Sequence, residues 1–257
     1  MSDVRYFNFP VALLQDFMTD SQSVLKNILY YSVYAHSAKL TYGDEVYRIR
    51  QTLVHYGLRA NLLQDVATTG RQLFADIPKA SPMAGINMKL YLEFRYNEKK
   101  EFDKICLLGF LALKSIIGKK PYCKVDNKFW LSRMDGSAKS KDTASLSAPI
   151  SSYSSEYMTK KIKNELKQYW GLKSYSRYTR GFYVSFDMKF EALVTEVEMK
   201  RKGTKAKQQR DAEKEIVSKV LEKLHTPKEL PLTNMGTPSI RKIGGISVQQ
   251  AKQLLSR

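Results

Sequence analysis

Residues 154–186, SSEYMTKKIKNELKQYWGLKSYSRYTRGFYVSF, decide how this chain is read. Ser154 or Ser155 is a good helix N-cap, because a serine hydroxyl accepts from a free first-turn N–H. Glu156 complements the positive start of a helix, and Gly171 suits the position just past its end. The pattern predicts a helix over about Ser155–Trp170. Wound at about 100° per residue, it puts Met158, Ile162, Leu166, Tyr169 and Trp170 in one sector. The opposite sector holds Tyr157, Lys160, Lys161, Asn164, Lys167 and Gln168. One face is thus expected in a core and the other in solvent.

A hairpin is predicted next. Phe182, Val184 and Phe186 alternate with Tyr183 and Ser185 after a turn around Thr179-Arg180-Gly181. Lys173, Arg177 and Arg180 make it basic, with Tyr175 and Tyr178 interleaved. Alone, a basic amphipathic helix is ordinary solvated surface. A basic hairpin directly after it changes the reading, because the two together can hold one duplex at two places.

Upstream, Phe102 to Ile117 is a strongly apolar helix whose circumference must be mostly covered, stopped by Gly118 and Pro121. Asp126 or Asn127 caps a short helix through Phe129, Trp130, Leu131 and Met134 that ends at Gly136. Residues 137–152 are rich in Ser, Ala, Thr and Lys and are expected to form a mobile loop.

Farther out, residues 88–96 alternate, with Met88, Leu90, Leu92, Phe94 and Tyr96 against Lys89, Tyr91, Glu93 and Arg95, which predicts a half-buried strand. Residues 1–80 read as mostly helical. Asp20 or Ser21 caps a helix with Val24, Leu25, Ile28 and Leu29 inward. Gly43 and Asp44 open a second, with Val46, Ile49, Leu53 and Tyr56 inward, and Gly57 stops it. A third pattern runs from Leu58 to about Thr68, and Pro78, Pro82 and Gly85 mark a boundary. At the other end, Ile216, Val217, Val220, Leu221 and Leu224 form a stripe on a helix of roughly 206–225. A Pro/Gly-rich tail and a short helix capped by Ser247 follow.

The expected organisation is a helical domain at 1–85, a DNA-binding domain at 86–190, and a basic helical extension at 191–257. The fold class is mainly α with small β-hairpins, an α+β chain.

Charge points the same way. The 257 residues carry a net charge of +18. Residues 1–85 account for only +1, so +17 lies beyond them. A surface charged only for solubility would spread its charge more evenly, whereas this asymmetry suits a polyanion. Nucleic acid is the commonest one, since cations brought near its phosphates release condensed counterions.

The element order resembles the winged helix-turn-helix superfamily over about a third of the chain. The resemblance rests on Lys104-Ile105-Cys106-Leu107-Leu108-Gly109-Phe110-Leu111, on Asn127-Lys128-Phe129-Trp130-Leu131, and on Lys161-Ile162-Lys163-Asn164-Glu165-Leu166 through Gly171-Leu172. Arg180-Gly181-Phe182-Tyr183-Val184-Ser185 closes it. It implies a recognition helix at about Ser155–Trp170 in the major groove and a wing on backbone or minor groove. The sixteen-residue join at 137–152 departs from the short turn usual in such domains. It is either an insertion, with Lys139 and Lys141 as further phosphate contacts, or a sign against the resemblance.

Catalytic chemistry is poorly provided for. His36, His55 and His225 are separate in sequence, Cys106 reads as a small core residue, and Cys123 has no activating neighbour. No zinc or phosphate-loop motif is present: Gly118-Lys119-Lys120 lacks the flanking residues of a P-loop. Asp187 with Glu198-Met199-Lys200 matches a loose metal-nuclease spacing, but Phe190, Leu193, Val194 and Val197 give it a helical context. Met1–Phe9 lack the apolar run of a secretory leader, and the longest apolar run, Ile105–Leu113, is too short for a bilayer span. A cytoplasmic protein without cofactor or metal is therefore expected.

The leading expectation is a non-enzymatic protein that binds double-stranded DNA, of regulator or replication-initiator type. Its contacts would be Tyr157, Lys160, Lys161, Asn164, Lys167, Gln168, Lys173, Arg177 and Arg180. RNA or single strands stacked on Tyr175, Tyr178 and Tyr183 are the second reading. A metal-dependent nuclease is the third. A protein–protein adaptor whose basic C-terminal helix meets an acidic partner is the fourth; a homo-oligomer or a protein partner joined through the N-terminal helices or the C-terminal tail is also open.

Overall fold

A computed structural model describes residues 5–176 and 181–225. Two compact units divide the chain, residues 1–203 and 204–257.

In the first unit, β1 (Tyr6–Pro10) pairs antiparallel with β2 (Met83–Asn87), Phe7 opposite Ile86 and Phe9 opposite Ala84. Between them run α1 (Ser21–Ser37), α2 (Glu45–Tyr56), the single turn α3 (Leu63–Asp65), a π-turn at Val66–Gly70, and α4 (Arg71–Asp76). Asp20 caps α1 by accepting from the Ser23 N–H, and Asp44 caps α2 by accepting from the Tyr47 N–H. Val24, Leu25, Ile28 and Leu29 are buried as expected. Val46 is not; it stands exposed in the first turn of α2, while Ile49, Leu53 and Tyr56 turn inward.

Residues 88–96 form a helix, α5 (Met88–Tyr96), and not the expected strand. Asn87 caps it by accepting from the Leu90 N–H. The buried side chains are Tyr91 and Phe94, three apart, while Leu92 and Tyr96 face solvent. The alternation misled because Tyr91, the residue burial selects, sits on its polar side.

The second half comprises α6 (Glu101–Ile117), β3 (Cys123–Val125), α7 (Asn127–Met134), the turn α8 (Ala148–Ser151), α9 (Glu156–Tyr169), β4 (Lys173–Tyr175) and β5 (Phe182–Ser185). The three strands form an antiparallel sheet in the order β3-β5-β4. Sequence periodicity missed β3, which is only three residues long. Gly181 opens β5 at φ +97°, where a Cβ would lie 2.6 Å from the Val125 carbonyl oxygen. Any side chain there would push β5 off β3.

α6 is the spine, with nine of its residues buried. Trp130 of α7 is fully buried and its indole N–H donates to the Gly109 carbonyl at 3.0 Å. A Cβ at Gly109 would meet Trp130 at 3.0 Å and Ile162 at 3.3 Å. The glycine therefore lets α7 and α9 close on α6. One hydrophobic core joins β1, α1 and α2 to α6, α7, α9 and the second sheet. Residues on both sides of position 85 share it, and that position lies within β2.

The 137–152 segment, expected as a mobile loop, packs against the core through short helical turns. It holds a 3-10 turn at Thr143–Ser145 and then α8, and it buries Leu146 and Ile150. Buried Asp135 takes the Lys141 ammonium at 3.1 Å and the Ser147 N–H at 3.3 Å. Buried Arg133 donates to the Ala138 carbonyl and the Ser115 hydroxyl, and burial lowers its pKa. Serine-rich composition does not reveal such anchors, because they lie at the end of the preceding helix and just past it.

α10 (Phe190–His225) is one continuous helix of 36 residues, starting sixteen residues before the expected 206. Leu193 and Val197 are buried in the first unit. In the second unit Ile216, Val217 and Leu221 are exposed. The expected tail and the helix after Ser247 lie outside the described residues. Among the described residues, no helix is long and apolar enough to cross a membrane.

Candidate nucleic-acid interface

Ser155 caps α9, its hydroxyl accepting from the Met158 N–H at 3.2 Å. Ile162 and Leu166 are fully buried and fix the helix rotation, with Thr159 beside them. Met158 and Trp170 are half-buried, and Tyr169, expected inward, is 67% exposed. Burial thus selects a narrower stripe than the sequence sector, because α9 lies on the edge of the core.

The outward side borders an open groove of about 560 Å³. Lys160, Lys163, Asn164 and Lys167 line it from α9 and Asn127 from α7. Ser174, Tyr175 and Ser176 face them from β4, with Gly181 and Phe182 of the second arm and Phe190 of α10. Helix and hairpin therefore form two walls of one groove.

Of the residues expected at the interface, Lys160, Asn164 and Lys167 line this groove together. Tyr157, Lys161 and Gln168 are exposed on α9 but do not line it. Lys161 instead holds its ammonium 4.7 Å from the Phe102 ring, and Gln168 donates to the Tyr169 hydroxyl. Lys173 is half-buried in β4. Arg177 and Arg180, with Tyr178, lie outside the described residues.

Sequence reading missed Lys163. Its ammonium donates to Asn127 Oδ1 at 3.2 Å and lies 4.4 Å from the Phe182 ring. Burial and then Lys167 lower its pKa, opposed by Glu156. It is a cation with reduced hydration on the groove wall, and such a cation gives up less water when a phosphate arrives. The helical wheel put Lys163 between the two sectors, so only its partners on α7 and β5 reveal its place. Tyr175, proposed above to stack bases, donates its hydroxyl to Glu198 at 2.7 Å.

The nuclease residues have other partners. Asp187 lies 4.0 Å from the Lys114 ammonium. Glu198 takes Tyr175 and Arg201, and Lys200 sits over the Tyr122 ring at 4.6 Å. Among the described residues, no three His, Cys, Asp or Glu side chains are grouped to hold a metal ion. Burial pushes the Cys106 thiol up to about 12 and the Cys123 thiol up to about 11, far from a reactive thiolate. No family model matches the chain, and no curated protein or solved structure matches it either.

Proposed function

We propose that the chain is a non-enzymatic double-stranded DNA-binding protein of winged-helix type, serving as a regulator or replication initiator. The observation that carries this is the open groove between α9 and the hairpin, lined by Lys160, Lys163, Lys167 and Asn164. Two further features support it: the helix–strand–helix–helix–hairpin order, and the pairing of β3 with β5 that ties the hairpin to the helices. In this reading α9 enters the major groove, which is about 12 Å wide and admits a helix. The three lysines neutralise phosphates, and the Asn164 amide reads a base edge, adenine being its natural partner. Lys173, with Arg177 and Arg180, serves the backbone beside the wing.

Competition at one salt concentration among a randomised duplex, the same strands unpaired, and duplex RNA tests the proposal. The duplex DNA should bind at least about tenfold tighter than either competitor, a difference of about 1.4 kcal/mol. Preference for unpaired strands or RNA refutes the duplex reading.

A further inference from the structure

A second cleft, of about 640 Å³, lies within the first unit and is built from other residues than the α9 groove. Its volume falls in the range usual for small-molecule sites, about 300–1,000 Å³. One wall is aromatic. Phe110 packs on Trp170 at 5.2 Å and on Phe186 at 5.1 Å between ring centroids, and all three rings are half-exposed. The β1–β2 ribbon supplies the rest of the lining, with Asn8 paired opposite Gly85 and Asn87 two residues along the strand. A Cβ at Gly85 would come within 2.9 Å of Asn8 Oδ1, so the glycine leaves the Asn8 amide room over the strand. Asn87 uses its oxygen on the Leu90 N–H, which leaves its two amide N–H donors for another acceptor.

Cations complete the cleft. Lys114 lies 4.6 Å from the Phe186 ring and 4.0 Å from Asp187, and Lys119 is exposed in the same lining. An aromatic wall whose rings are inclined by 46° and 76° to one another, side-chain amides and two ammonium groups are complementary to a planar heterocycle that carries an anion. Rings give a base a stacking surface, amides meet the donors and acceptors on its edge, and lysines meet phosphate.

We propose that this cleft binds a nucleotide, its base packed against the aromatic wall beside Trp170 and its phosphate held by Lys114 and Lys119. The ligand chemistry is common to a free mononucleotide and to an unpaired nucleotide of a strand. The proposal does not depend on the DNA-binding reading, because it uses none of the α9 groove residues.

Trp170 supplies the readout. The other tryptophan, Trp130, is fully buried on Gly109, so a ligand in the cleft perturbs Trp170 fluorescence selectively. The full chain is titrated with adenosine monophosphate and, separately, with a short single-stranded oligonucleotide. Saturable quenching by the mononucleotide supports a free ligand, and quenching by the oligonucleotide alone supports a strand-borne one. Lys114→Gln should weaken binding about tenfold or more. Asp187→Asn, which removes the carboxylate competing for Lys114, should tighten it several-fold, a gain that a merely structural role does not produce. Neutralising Lys160, Lys163 and Lys167 should leave mononucleotide binding unchanged. No saturable quenching by either probe up to millimolar concentration, or equal affinity in wild type and both cleft variants, overturns the proposal.

Discussion

Replacing Lys160 and Lys167 by Gln and Lys163 by Met removes the three cations that α9 presents to its groove. Methionine keeps an unbranched stem against Phe182 in place of the Lys163 stem. Each lysine that neutralises one phosphate of B-DNA contributes about 0.9 to the slope of log K against log salt. The triple variant should therefore bind with a slope smaller by about 2.7. Over a fourfold rise in salt, wild-type affinity then falls by about 40-fold more than the variant's. Fluorescence anisotropy with a labelled duplex at four or five salt concentrations measures both slopes. Lys161→Gln is the internal comparison. Its ammonium rests on Phe102 outside the groove, so its slope should change by less than one lysine's worth. Similar circular dichroism for all variants secures the comparison. A triple variant that keeps the wild-type slope shows that duplex DNA does not lie in this groove, whatever its affinity.

Other perturbations test the scaffold. Gly109→Ala should destabilise the fold by about 1–3 kcal/mol, since the added methyl meets Trp130 and Ile162 in a packed core, and thermal melting reads this directly. Asp135→Ala strands the Ser147 N–H and the Lys141 ammonium; it should cost about 2 kcal/mol and speed proteolysis between residues 137 and 150. His36 stacks on His55 at 5.1 Å, and burial, His55 and Lys39 hold its pKa below the ordinary 6.5. The unfolded chain then binds the extra proton first, so this contribution to stability is full above pH 6.5 and fades as the pH falls through the folded value. Denaturant melts at several pH values should show a shallower acid loss in His36→Gln. Native Cys106 and Cys123 should alkylate far more slowly at pH 8 than the same thiols in denaturant, as their raised pKa values require.

Much of this architecture was legible from local chemistry. Asp20, Asp44, Asp126 and Ser155 each accept from the N–H three residues on, and each was readable as a cap. The apolar run of α6 and the side of α9 bearing Ile162 and Leu166 were readable for the same reason: their burial follows the helical period. The misses share a different cause. Residues 88–96 satisfy two periods at once, and only contact with the core chooses between them. β3 is too short to show a period and exists through its pairing with β5. The packing of residues 137–152 uses contacts to Asp135 and Arg133, whose burial is a tertiary fact. At the interface, Lys160, Asn164 and Lys167 were visible on the wheel, while Lys163 became visible only through Asn127 and Phe182.

The β1–β2 ribbon has a consequence for the order in which the molecule assembles. Pro10 meets Met83, so the ribbon closes a span of 73 residues. Loop-closure entropy makes that about 1.8 kcal/mol more costly than closing a ten-residue turn. A chain emerging from the ribosome would hold its first strand without a mate until the eighties had been made. Phe7 and Phe9 would spend that interval in water or in transient company. We expect the ribbon to zip late, after α1 and α2 have met, and substitutions in it to alter the unfolding rate more than the folding rate.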